Sequence, residues 1–225
     1  MLTETQIEKN YNTFKKYIKG YISRPGVEEF MTWLDTTDCR KAPASTKYHC
    51  SYEGGLVVHC LNVFKRVFGY MKNTYGDLDS NCPYTKDTLA LVSLLHDINK
   101  VNFYRSYQKN VQNPETGKWE SVMSYATRDN VMLGSAEENA IQILNKFFSL
   151  TDEETYAIRY HMGYTENGDS FYRNNMIKCY ASSELAIVLH QQDEWAITRD
   201  ETEAIQFTSI KNNSEEVENK EESVS

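Results

Sequence analysis

Residues 85–100 read TKDTLALVSLLHDINK, and the rest of the chain is arranged around them. The TLALVSLL portion is apolar nearly all round, the composition of a helix packed on every side rather than laid on a surface. The spacing predicts a central helix over 85–99. His96 and Asp97 stand at its end. Burying an imidazole and a carboxylate together is costly unless something compensates. A divalent cation would, because both groups bind one. A helix end open to water, with His96 at the favourable pole of the helix dipole, would serve equally.

Outward from this segment, Leu56, Cys60, Val63, Val67 and Met71 form one stripe and predict an amphipathic helix over 56–71. Upstream, Ile7, Tyr11, Phe14 and Ile18 recur at helical spacing over 2–19, and a second helix is expected over 25–34 with Pro25 in its first turn. Residues 36–54 read as irregular, punctuated by Pro43, Ser45, Thr46 and the pair Gly54-Gly55.

Downstream, aromatic and polar residues alternate on both sides of Asn113-Pro114-Glu115-Thr116-Gly117, which predicts a β-hairpin over 103–127. Helical patterns resume over 135–148 and 152–161, where Thr151 is a good N-cap with Glu154 three residues on. A last helix is expected over 181–199. The fold class predicted is mainly α, a single helical-bundle domain with a projecting hairpin: residues 1–40 as helices packed on the core, 41–205 as the main body, and 206–225 as an acidic, disordered tail.

Composition narrows the function classes. The chain has 225 residues, 40% apolar and 25% charged, ordinary for a globular protein, and no stretch approaches the roughly 20 apolar residues that span a bilayer. The N-terminus lacks the basic and apolar regions of a secretory signal, so a cytoplasmic setting with no membrane partner is expected. Cysteines at 39, 50, 60, 82 and 179 form no CxxC pair, which offers neither a zinc ribbon nor a thioredoxin-like motif; they are expected as reduced thiols, with Cys60 and Cys179 in the core. The net charge of −8 argues against broad attachment to nucleic-acid backbones. Segment 212–225, with five Glu and one Lys, accounts for four of those charges, so a local basic groove stays open.

Four of the five histidines fall where a helical core is predicted. His59 lies on the stripe with Leu56 and Val63 and should point inward, as a satisfied core residue or as a ligand. Asp193 shares a helical face with Ala186, Leu189 and Ile197, a poor place for an unpaired acid. His190, three residues earlier, reads as a core residue or a support for a ligand. His161 could simply close its helix or serve a site with the others. Lys100, one turn beyond His96, is within reach of an anion or merely exposed at a helix end.

The order His59, then LLHDINK with His96-Asp97, then Asp193 resembles the HD superfamily of metal-dependent phosphohydrolases. The segment KYHCSYEGGLVVHCLNV (47–63) is similar to that family's aromatic-His, Gly-Gly-Leu and His element, and AIRYHMG (157–163) to its later His-Gly element. The resemblance covers about residues 43–197. It implies one or two divalent ions (Mn2+, Mg2+, Fe2+ or Co2+) held by His59, His96, Asp97 and Asp193, and hydrolysis of a nucleotide or other small phosphoester by an activated water. It further implies catalytic roles for Asp97, Lys100 and His161, and substrate contacts from Lys47, His49, Lys100 and His161. Two positions depart from the pattern. Gly134-Ser135-Ala136-Glu137 stands where relatives often read Gly-His-Gly-Glu, which favours a mononuclear site or weaker catalysis, and Asn99 stands where Gly or Cys is common.

Two other functions fit the sequence. The segment 48–59 also resembles the HD part of certain bacterial 3′-to-5′ exoribonucleases, and the hairpin's Phe103, Tyr104, Arg105, Tyr107, Lys109, Lys118 and Trp119 could stack on and grip single strands; packing of those aromatics on the body is the preferred alternative. The other is a non-catalytic, metal-containing module that binds a nucleotide or a protein, which Ser135 keeps open.

Overall fold

A computed structural model of the chain describes residues 2–129, 134–164 and 169–201; the acidic segment 206–225 lies outside them. The described residues form eight α-helices and one antiparallel hairpin. In chain order these are α1 (Glu4–Tyr21), α2 (Val27–Leu34), α3 (Gly55–Tyr75), α4 (Lys86–Leu95), β1 (Tyr104–Gln112), β2 (Trp119–Thr127), α5 (Ala136–Leu144), α6 (Asp152–Tyr160), α7 (Ser170–Ser182) and α8 (Glu184–Trp195). None of the helices is long and apolar enough to cross a membrane.

The apolar run in α4 puts it at the centre. Every residue from Leu89 to Leu95 is fully buried, and α4 packs on α1, α3, α6 and α8. The stripes read from the sequence supply the facing surfaces: Ile7, Tyr11, Phe14 and Ile18 of α1, and Leu56, Cys60, Val63, Val67 and Met71 of α3, are all buried. All five cysteines are free thiols, and Cys60 and Cys179 are buried as expected.

Several boundaries depart from the periodicity. The central helix stops at Leu95 rather than 99, and Ile98–Lys100 form a separate 3-10 turn; Asp97, at φ −103° and ψ 18°, leaves the helix where its carboxylate turns toward the histidines. Pro25 lies ahead of α2 rather than in its first turn, because Gly26 takes φ +95° and a Cβ there would lie 1.8 Å from the Phe147 carbonyl oxygen. The helix expected over 181–199 is present as α8 continued by a π turn, and only its first two residues belong to the end of α7. Ser183 ends α7 by donating its N–H to Cys179 and starts α8 by accepting from Ala186, and Ala196–Asp200 then widen into a π turn. Helix α7 went unread because it is polar almost all round, with only Met176 and Cys179 buried.

The hairpin forms in the expected place, with Tyr104 opposite Thr127 and Gln112 opposite Trp119. Asn113 builds its turn: its side-chain oxygen accepts from the N–H groups of Glu115 and Thr116, and Gly117 closes it at φ +68°. At the root, Asp38 and Asn102 exchange main-chain N–H to side-chain oxygen bonds of 2.6 and 3.1 Å, and Arg128 spans Asp38 and the Tyr104 carbonyl. The outer aromatics do not pack on the body. Trp119 is 70% exposed and Tyr107 41%, so the preferred packed reading is corrected for those two, whereas Phe103, Tyr104 and Tyr125, at the root, are half-buried.

A buried ion pair ties the bundle across long sequence separation. Arg24 donates to both oxygens of Glu154, at 2.7 and 2.9 Å, and to Asp87 at 2.7 Å. Glu154 is fully buried and also accepts from Thr88 Oγ1 and the Thr151 N–H. The residue read as the second half of a capping box thus also joins α6 to α4 and to the segment before α2.

Candidate metal centre

Two glycines prepare the entry to α3. Gly54, at φ +80°, occupies the N-cap, and a Cβ on Gly55 would lie 1.9 Å from the Cys50 carbonyl oxygen. That close approach lets the 44–50 loop, held by Ser45 Oγ donating to the His49 carbonyl at 2.7 Å, lean on the first turn of α3. His59 follows one turn later and is 1% exposed. His96 and Asp97 arrive from the end of α4, His161 from the end of α6 and Asp193 from α8, all buried.

Their ligand atoms meet in one place. His59 Nε2 lies 3.1 Å from Asp193 Oδ1 and 3.3 Å from both Asp97 Oδ2 and His96 Nε2. His96 Nε2 lies 3.6 Å from Asp97 Oδ2 and 3.8 Å from Asp193 Oδ1, and His161 Nε2 lies 3.7 Å from Asp97 Oδ1. Bonds of about 2.1 Å to a common ion place neighbouring ligand atoms about 3.0–3.4 Å apart, so these separations suit one coordination shell with little movement. His59, His96 and Asp193 form one group able to hold an ion, and His96, Asp97 and His161 another.

The hydrogen bonds behind the rings set their tautomers. Nδ1 of His96 faces the Ser93 carbonyl at 3.1 Å, that of His161 faces the Ile158 carbonyl at 2.7 Å, and that of His59 faces the Glu201 carboxylate at 3.1 and 3.2 Å. Each acceptor needs a proton on Nδ1, which turns three Nε2 lone pairs toward the same point. His161 Nε2 and Asp193 Oδ1 are buried without a hydrogen-bond partner. Such orphaned atoms fit a cation.

Charge gives the same answer. With the imidazoles neutral, the carboxylates of Asp97, Asp193 and Glu201 face one ammonium, Lys100, whose Nζ lies 2.6 Å from Asp97 Oδ2. The excess of two negative charges equals one divalent ion. Without it the cluster recruits protons. Burial works against charge on His59, but Asp193, Asp97 and Glu201 outweigh it and hold its pKa well above 6.5. His161 is likewise raised against burial by Asp97 and Asp193, whereas burial dominates at His96 and lowers it to about 4. Burial opposes ionisation of Asp97, yet Lys100 and His96 hold its pKa well below the carboxylate range. The oxygen and imidazole donors suit Mn2+, Fe2+, Co2+ or Zn2+.

The residues expected around this set divide. His49 stacks beside it, its ring centroid 4.8 Å from that of His59; its Nε2 is buried and unpartnered, and burial with the nearby His59 and Lys100 charges lowers its pKa to about 4. Lys47 is not brought in. It is exposed, its Nζ 5.2 Å from the centroid of the Tyr48 ring. Ser135 is the N-cap of α5, accepting from the Glu138 N–H while Glu138 accepts in return. His190 donates Nδ1–H to the His161 carbonyl at 2.7 Å and stacks on Tyr180, so it supports the end of α6. It fits there because Gly163, at φ +70°, has no Cβ; one would lie 2.6 Å from the His190 ring.

Glu201 went unread. Its side chain is 1% exposed and it also accepts from Asn62 Nδ2 at 3.2 Å. In the sequence it begins a polar, acidic stretch, and the one available signal was a helical pattern that runs to residue 199.

No family model matches the chain, and neither a curated protein nor a solved structure proves similar to it.

Proposed function

We propose that this chain is a metal-dependent phosphohydrolase of the HD superfamily, acting on a nucleotide or similar small phosphoester. The observation that carries the proposal is the convergence of three Nε2 lone pairs and two carboxylates, backed by unpartnered buried atoms and an excess of two negative charges. A divalent ion in such a shell supplies Lewis acidity toward a phosphate oxygen and an acidified water. His59, His96, Asp97 and Asp193 would hold it.

The remaining work falls to the protein's own groups. Lys100, its side chain 13% exposed and its ammonium fixed by Asp97, stands ready to neutralise a phosphate oxygen as charge develops. In its doubly protonated form, which burial opposes but Asp97 and Asp193 favour, His161 would hand a proton from Nε2 to the departing oxygen. His49, beside His59, would meet the substrate on the loop side.

The test is release of phosphate or nucleoside from a panel of nucleotides, cyclic nucleotides and short single strands, with Mn2+, Mg2+, Fe2+, Co2+ or EDTA present. Turnover of one class, abolished by EDTA, is the expected result; no turnover with any metal would sink the catalytic proposal.

The hairpin favours a second reading, a 3′-to-5′ exonuclease. Tyr104, Tyr125, Met123 and Trp119 share one face of the ladder, and that face continues into a cleft of about 810 Å³ shared with Tyr52 and Arg105. Stacked bases suit such a ladder. Cleavage of the short strands in preference to mononucleotides would select this reading.

A further inference from the structure

Helix α3 presents His59, Asn62 and Arg66 at spacings of three and four, one continuous stripe. Two consecutive residues of the C-terminal turn meet that stripe. Asp200 takes a bidentate pair from Arg66, at 2.6 and 2.7 Å, and Glu201 meets both His59 Nδ1 and Asn62 Nδ2. The π turn over Ala196–Asp200 is closed by the Glu201 N–H donating to the Ala196 carbonyl at 3.1 Å, and the side chains of Asp200 and Glu201 at its end both reach α3.

Three features distinguish Glu201 from a surface acid that happens to touch a histidine. Its side chain is as buried as that of His59, each 1% exposed. Both carboxylate oxygens lie within 3.2 Å of Nδ1. The atom it engages lies on the far side of the ring from Asp193, Asp97 and His96, which all face Nε2.

We infer that Glu201 is a positioning residue for the metal centre: its carboxylate accepts the His59 Nδ1–H, fixes the ring's tautomer and angle, and makes Nε2 a stronger donor. The inference rests on the reading of the cluster as a metal site. It assigns the turn that carries Asp200 and Glu201 a part in metal affinity. Asn62 holds the carboxylate in place, and the Arg66–Asp200 pair fixes the turn from outside.

The test is metal affinity of the full chain, stripped by chelation and titrated with Co2+ against a competing chelator, for wild type, Glu201→Gln and Glu201→Ala. Glu201→Ala is expected to weaken binding about 10- to 100-fold. Glu201→Gln, of the same size, keeps an oxygen that can accept the same N–H but not the charge and should recover only part of that loss, whereas a merely space-filling role would restore wild-type affinity in full. Histidine-detected NMR gives a second readout, an exchange-protected His59 Nδ1–H that is present in wild type and lost in Glu201→Ala. Wild-type affinity in Glu201→Ala, or equal losses in the two variants, would overturn the inference. Wild type that binds no divalent ion sinks the metal reading and the inference together, whereas binding without phosphoester cleavage sinks only the catalytic proposal, because affinity is measured directly.

Discussion

The Nε2 atoms of His59 and His96 face each other at 3.3 Å, and each ring has its other nitrogen turned to an acceptor. Two lone pairs at that distance repel unless a proton or a cation lies between them. Metal-free protein must use the proton, and this fixes a pH dependence. Burial opposes the charge on His59, but Asp193, Asp97 and Glu201 raise its folded pKa well above 6.5. A raised pKa contributes stability that is fully present below the unfolded value and is lost as pH rises through the folded one. The melting temperature of EDTA-treated protein should therefore fall as pH is raised above about 6.5, and Mn2+ should abolish the fall. A flat alkaline limb without metal would contradict this.

Asp97 touches His59, His96, His161 and Lys100. Asp97→Ala removes one of the proposed ligands and leaves Lys100 without its nearest counter-charge. Metal affinity should drop by more than about 100-fold, beyond the loss typical of a supporting residue, and hydrolysis should vanish with it. Full activity in this variant would sink the assignment; metal analysis and phosphate release decide.

Gly163→Ala forces a Cβ against the His190 ring at a positive φ. The strain should cost about 1–3 kcal/mol and displace the donor to the His161 carbonyl. Turnover should fall by up to about 100-fold through a misplaced His161, while metal content is retained, since His59, His96, Asp97 and Asp193 are untouched. Thermal melts and metal analysis separate the two effects.

Glu154 offers the converse case. Glu154→Ala leaves Arg24, its side chain 19% exposed, without its principal partner. Breaking such a pair from one side should cost about 3 kcal/mol, read as a lower denaturation midpoint, with Co2+ affinity unchanged because the pair stands apart from the histidines.

Trp119→Ala should leave stability within about 0.5 kcal/mol, as expected of an exposed side chain. If short strands are the substrate, their binding should weaken about 10-fold or more, in line with the loss of one stacking platform, while mononucleotide hydrolysis holds. Fluorescence titration with labelled oligonucleotides measures it.

Periodicity found the faces that bury, so α1, α3 and α4 and the inward direction of His59 and Asp193 could be read from residue spacing alone. Motif order then grouped His96, Asp97 and His161 with them. Partnerships across the chain left no such trace. Glu154 advertises only its cap, because Arg24 lies 130 residues away, and Glu201 meets His59 across 142. Helix α7, with hardly any apolar stripe, gives periodicity nothing to detect. The outer hairpin aromatics were legible as residues but not as exposed ones, since alternation along a strand is the same whether or not a body lies beneath it.

The distance between His59 and Glu201 along the chain also sets an order of events in synthesis. A ribosome delivers His59, His96 and Asp97 long before Asp193 and the turn that carries Glu201, so the growing chain holds an incomplete ligand set. Closing loops of that length is paid for only when the last helix docks. Were the cluster to hold an ion, its capture would be a late step in biogenesis, and the ion bound would reflect what the compartment supplies at release rather than what the nascent chain first meets.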